Sequence, residues 1–99
     1  MRYVVPDEKI TDYLLKNQSK SGFFLRYYDA AQWQQLRDDI LNTAPNCEVI
    51  FQKENEWGKK YIINMELSTP KERVIKITTV WMIRDDDLET YSLLTAYPT

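Results

Sequence analysis

The sequence predicts one α+β domain spanning 1–99, with two N-terminal helices packed on one face of a four-stranded antiparallel meander. Three observations predict it. Apolar residues recur at helical spacing as far as Ala44 and at every second position from Glu48 onward. The breaks between the alternating runs are short enough to be hairpins. Ninety-nine residues leave no room for a second core. A composition of 43% apolar and 28% charged side chains is that of a globular chain, not a disordered tail.

Pro6 suits the first turn of a helix, where its missing N–H costs nothing, and Asp7 and Glu8 favour the positive end of the helix dipole. Ile10, Tyr13 and Leu14, with Leu15 beside them, fall at helical spacing and carry the first helix to about Lys16. Asn17 to Gly22 is a cluster of breakers. The next run, Phe23 to Tyr28, reads equally as a short strand or an ordered loop. Asp29 is an N-cap, with Gln32 three residues on as its reciprocal partner in a capping box. Trp33, Leu36, Ile40, Leu41 and Ala44 form one apolar stripe, so the second helix runs over 29–43 and Pro45 ends it.

From Glu48 the period is two. Val49 and Phe51 alternate with Glu48 and Gln52 in a first strand, and 54–58 reverses the chain at Gly58. Tyr61, Ile63, Met65 and Leu67 mark the second strand, and 68–72 turns again. Ile75, Ile77, Thr79, Trp81 and Ile83 mark the third, which is apolar on both faces near its end and therefore central. Arg84 to Asp87 makes the last turn, and 91–97 is the fourth strand, closed by Pro98. The pattern predicts antiparallel pairing throughout and leaves the first or last strand as an exposed edge. The chain is then a monomer, or a homodimer joined through that edge.

The absence of histidine removes the most chemistry. No imidazole exists to activate a Ser or Cys nucleophile, and no His-based zinc site can form. Gly22 and Gly58 are the only glycines, too few for a phosphate-cradling loop. Asp85-Asp86-Asp87 lacks the spacing of a calcium loop and reads as a solvated turn that blunts a sheet edge. No cofactor and no metal is implied. The lone Cys47 reads as a small buried hydrophobe and fits a reducing cytoplasm. The N-terminus lacks the apolar core of a signal peptide, and no run is long enough to span a membrane. Trp57, beside Gly58 in a turn, either folds back on the sheet or contacts a partner.

Four pieces occur in order: Phe23-Phe24-Leu25-Arg26, Trp33-Gln34-Gln35-Leu36, Thr79-Val80-Trp81-Met82-Ile83 and Leu94-Thr95-Ala96-Tyr97-Pro98. Together they resemble a family of uncharacterised small bacterial domains, found alone or at the ends of toxin-like and phage-related proteins. The resemblance covers roughly 8–98 and implies no activity. More distantly, two helices followed by a meander is similar to the barnase–EndoU–colicin–RelE group of metal-independent ribonucleases, whose sheet cradles RNA.

A histidine-free ribonuclease needs a proton acceptor for the 2′-hydroxyl and donors or cations for the charge developing on phosphate. Arg26, Lys60, Thr79, Thr95 and Tyr97 are the candidates. Arg26 would clamp phosphate, Lys60 would supply charge or a lowered-pKa base, and the hydroxyls would donate. Thr79, Trp81, Thr95 and Tyr97 share the parity of one sheet face, but so do Ile75, Ile77, Ile83, Tyr91 and Leu93, which equally marks that face as core. Arg26 equally suits a surface ion pair. With 13 basic against 15 acidic side chains there is no basic stripe. The favoured expectation is a non-catalytic protein-interaction module with a protein partner. The alternative is an RNA-cleaving domain.

Overall fold

The computed structural model describes residues 2–11, 15 and 19–99. It is an α+β fold with one five-stranded sheet, and a helical layer covers one face of that sheet. The chain begins with β1 (Arg2–Val4), followed by α1 (Asp7–Lys9), α2 (Ser19–Leu25) and α3 (Gln34–Thr43). The remaining strands are β2 (Ile50–Asn55), β3 (Gly58–Ser68), β4 (Val74–Arg84) and β5 (Asp87–Pro98). The sheet order is β1-β5-β4-β3-β2, so the strand expected to be central, β4, is central.

The helical layer departs from the expected pair. α1 starts at Asp7, directly after Pro6, and ends at Lys9; Tyr13, Leu14 and Lys16 lie outside the described residues. Ile10 and Leu15 are buried in the core. Ser19 to Leu25, expected as breakers followed by a strand or loop, is a helix instead. Glycine lowers helix propensity by about 1 kcal/mol at Gly22, but Phe24 and, in the following turn, Tyr28 are fully buried and tie the segment down. Asp29 caps as expected, accepting from the Ala31 N–H at 2.9 Å. The element it caps is a 3₁₀ turn, Ala30–Gln32, and α3 begins only after that turn. Leu36, Ile40 and Ala44 face inward, and a second 3₁₀ turn containing Pro45 ends the helix.

The alternating period holds for β3 and β4, which pair antiparallel over their full length from Gly58↔Arg84 to Ser68↔Val74. Between them Thr69 closes the loop by binding the Arg73 carbonyl through both N–H and Oγ, while Glu72 takes a left-handed φ of 58°. Two expectations need correction. The sheet is not four-stranded, and its pairing is not wholly antiparallel. Arg2–Val4 adds a fifth strand parallel to β5, with Tyr3 level with Tyr91. Three residues carry too short a stretch of alternation to register as a strand. Parallel pairing also needs a long connection, which the helical layer and meander supply.

On the covered face Ile63, Met65, Leu67, Ile77, Trp81 and Leu93 meet the inward side of the helices. Thr79 is fully buried among them and carries a polar link through this layer. Its Oγ accepts from the Trp81 indole N–H at 2.6 Å and donates to the Ile63 carbonyl at 2.7 Å. Along the same face an aromatic row takes one ring from each strand, Tyr3, Tyr91, Trp81, Tyr61 and Phe51, with linked centroids 5.1–5.6 Å apart. Burial, with Tyr3 and Tyr61 alongside, pushes the Tyr91 hydroxyl up from its ordinary pKa.

Replacing Thr79 by Val leaves a buried indole N–H without an acceptor, so we expect a loss of about 2 kcal/mol in urea unfolding. Thr79→Ser, which keeps the hydroxyl, should cost about 1 kcal/mol or less. Equal stability of the Val variant and the parent would refute this assignment. The second expectation concerns pH. Tyr28 donates to Asp39 Oδ2 at 2.7 Å, and burial, then that bond and the carboxylate charge, raise its pKa far above 10. An unfolded tyrosine ionises near 10, so the stabilising effect is complete below that pH and declines above it, by roughly 1.4 kcal/mol per pH unit per tyrosine. Unfolding free energies measured between pH 9 and 11.5 should show a shallower alkaline decline for Tyr28→Phe than for the parent.

Candidate functional site

Among the described residues no helix lies over the second sheet face, and its population follows from register. Pairs opposite one another share a face, which places Gly58, Lys60, Ile62, Asn64 and Glu66 of β3 beside Arg84, Met82, Val80, Thr78 and Lys76 of β4 on the open side. On β2, Ile50 lies opposite Ile62 and Lys53 opposite Lys60. On β5 the register shifts: Trp81 pairs with Leu93, whereas Val80 pairs with Thr95. Leu94 is therefore one extra residue, a bulge that reverses which side chains face the core. Ala96, opposite Thr79, becomes fully buried, and Thr95 and Tyr97 move to the open face.

This corrects the shared-parity expectation. Thr79 lies in the core with its hydroxyl fully used, and on the opposite side of the sheet from Thr95 and Tyr97. Arg26 occupies the exposed turn after α2, in the helical layer, also across the sheet. Lys60, Thr95 and Tyr97 do share the open face and are all half-buried. They do not sit on one rung, however. Lys60 is level with Met82 and Tyr97 with Thr78, four residues or about 13 Å along the strand. Thr78, opposite Tyr97, donates to Asn64 Oδ1 at 2.7 Å and lies 3.1 Å from the Thr99 hydroxyl.

The concavity of this face lies at the β2–β3 turn. Asn55 Oδ1 accepts from the N–H groups of Trp57 and Gly58 at 2.8 and 3.1 Å, closing a turn in which Gly58 adopts φ 153°. A side chain at Gly58 would run into the Ile83 carbonyl oxygen, so β3 approaches β4 here only through glycine. The Asp85 N–H donates to the Trp57 carbonyl at 3.3 Å and ties this turn to the next. Trp57 is thereby held 68% exposed, the most open of the described large apolar side chains. With Asn55, Lys60, Met82, Arg84 and the bulged Leu94 it lines a groove of about 410 Å³. A smaller hollow of about 50 Å³, bounded by Met82, Arg84, Asp87, Thr90 and Ser92, adjoins it.

A family's sequence model matches this chain over residues 1–99. The chain belongs to DUF6883, a domain of unknown function. Its membership agrees with the uncharacterised family that the four motifs resemble. No curated protein and no solved structure matches the chain. In this DUF6883 domain the motif residues divide between the faces. Phe24, Leu36, Trp81 and Ala96 build the core, and Met82, Leu94, Thr95 and Tyr97 build the open side.

Other features of the DUF6883 domain are structural. Arg84 pairs with Asp86 at 3.5 Å and Arg2 with Asp87 at 3.9 Å, all exposed. Hydrogen bonds from Thr90 and the Glu89 N–H, with Arg2 nearby, hold the Asp87 carboxyl below its ordinary pKa. Among the described residues no cluster of three metal-ligating side chains occurs, and no helix is long and apolar enough to cross a membrane. Cys47 is half-buried, and its thiol donates to the Thr43 carbonyl at 3.4 Å. The residues that sequence reasoning missed are Asn55, Met82, Arg84 and Leu94. Asn55 two residues before Trp57 was a legible turn signal, but the bulge that exposes Leu94 has no local signature.

Gly58→Ala should therefore destabilise the domain by about 3 kcal/mol or more, combining a left-handed φ with a collision against backbone. Gly22→Ala, which meets no atom within 4 Å in a helix, should be neutral or stabilising. Thermal unfolding of the two variants checks the contrast, and equal melting temperatures would refute it.

Proposed function

We propose that the domain is a non-catalytic protein-interaction module that receives its partner on the open face of the sheet. The observation that carries this reading is the groove beside Trp57. A sheet whose core is complete on one side presents, on the other, an exposed indole, Met82 and the bulged Leu94 around a concavity of about 410 Å³. Contiguous exposed apolar surface of this kind marks interaction sites, and tryptophan is among the residues that contribute most to binding. Ile50 and Val4, both more than a third exposed, extend the apolar surface toward the sheet edges. The four motifs resemble uncharacterised domains found alone or at the ends of toxin-like and phage-related proteins, and that resemblance suggests a role in such a system, as the regulatory or neutralising half of a gene pair. Its lone Cys47, held as a thiol, suits a cytoplasmic setting.

One observation favours a second reading, a metal-independent ribonuclease-like domain: Lys60, Thr95 and Tyr97 share the open face. In that reading Lys60 supplies charge to phosphate and the two hydroxyls donate to it. Their separation along the strands and the acidic balance of the chain weigh against it.

Quantitative pull-down separates the two. Wild-type domain should retain one dominant protein, at least about tenfold depleted on Trp57→Ala, which removes a contact of hot-spot size, and unaffected by Arg26→Ala in the helical layer. Retention of nothing, or equal retention by both variants, overturns the module. Total RNA incubated with the domain in EDTA should stay intact. Cleavage abolished by Lys60→Ala with Tyr97→Phe would establish the nuclease instead.

A further inference from the structure

The charges beside the groove are arranged in a way that folding does not require. On the helix-covered face of the β2–β3 ribbon, Glu54 lies opposite Lys59, a complementary pair. On the open face, Lys53 lies opposite Lys60. Like charges directly across an antiparallel pair cost stability. Among the described residues, neither lysine has a carboxylate within ion-pair distance. Arg84, one rung further on the same side, has only an exposed pair with Asp86, which solvent screens and a ligand can exchange. Two cations, Lys60 and Arg84, thus line an apolar concavity, and Lys53 lies directly across from Lys60 with no ion-pair partner among the described residues.

We infer that the groove takes an acidic peptide segment that also carries a bulky apolar side chain, an inference that rests on the interaction-module reading. The apolar side chain fills the space between Trp57, Met82 and Leu94, and flanking Asp or Glu carboxylates bind Lys53, Lys60 and Arg84. A polynucleotide fits less well. Phosphate backbones need a continued track of cations. Beyond this end of the face the only charged rung between β3 and β4 is Glu66 opposite Lys76, already complementary. The adjoining turns carry Glu56, Asp85 and Asp86, which repel an unbroken line of phosphates but leave room for separate carboxylates.

The test is selection of random 12-residue peptides displayed on phage against the intact domain, followed by affinity measurement on the selected peptides. The expected consensus combines Asp or Glu with Trp, Phe or Leu. Trp57→Ala and the double variant Lys53→Glu, Lys60→Glu should each weaken binding at least tenfold, and Lys59→Glu on the other face should not. Affinity should fall as salt rises, and the double variant should select basic segments in place of acidic ones. Melting temperatures of all variants establish that they are folded. A neutral or basic consensus lost on Trp57→Ala overturns this inference and leaves the module standing. So does failure to enrich any peptide while the pulled-down protein is still lost on Trp57→Ala. A 12-nucleotide oligouridylate bound more tightly than any peptide, or a dimer in sedimentation that Trp57→Ala dissolves, overturns the inference and the module's protein partner with it.

Discussion

The way the end of β5 divides between the two faces depends on a single extra residue. Strand β5 would present Leu93, Thr95 and Tyr97 to the core if its alternation ran unbroken, and Leu94 and Ala96 to the open side. The bulge at Leu94 instead puts Leu93 and Ala96 inward. The small Ala96 lies directly opposite Thr79, which leaves space beside the Trp81 indole and its bond to the Thr79 hydroxyl. A tyrosine near that position would compete with the indole for the same volume, and overpacking costs stability. Outward, the same bulge delivers Leu94 to the groove and Tyr97 to the far end of the face. At this end of β5, core packing and surface chemistry are set together by one register shift.

This explains which parts of the structure the sequence makes legible. β3 and β4 read correctly because each runs eleven residues with apolar side chains at every second position, and β4 reads as central because its other side is apolar as well. α3 reads from its stripe of Leu36 and Ile40. β1 fails because three residues cannot display a period. α2 fails because Ser19, Ser21 and Gly22 are poor helix formers locally, and the burial of Phe24 and Tyr28 holds the segment helical. Tertiary packing overrides propensity there. The candidate residues fail for the same reason as β5: assigning Thr79 and Thr95 to one face assumes a period that Leu94 breaks. Lys60 and Trp57 lie upstream of that break, and both line the groove.

The sheet's edges bear on what kind of contact the domain can make. β1 covers part of the outer edge of β5, leaving β2 as the free long edge. That edge carries a register irregularity at Gln52 and a lysine at Lys53, two devices that discourage strand addition. A second copy pairing edge to edge would meet a distorted ladder and bring the Lys53 side chains of two copies into one sheet. The face therefore offers a less obstructed surface than the edge does.

The β2–β3 ribbon then gives the strongest physical argument about use. Of its four facing charges, Lys53 and Glu54 against Lys59 and Lys60, only Glu54 is acidic, so a single complementary rung is available. It occurs only on the side nearer the helices. Cross-strand pairs contribute roughly 0.2–1 kcal/mol each, at most about a fifth of the net stability of a domain of about 100 residues, since total stabilities run near 0.05–0.15 kcal/mol per residue. A lysine pair retained beside an exposed indole is thus a local conflict between stability and something else. Such conflicts concentrate where a surface has a task other than folding, and the groove at Trp57 is where this one lies.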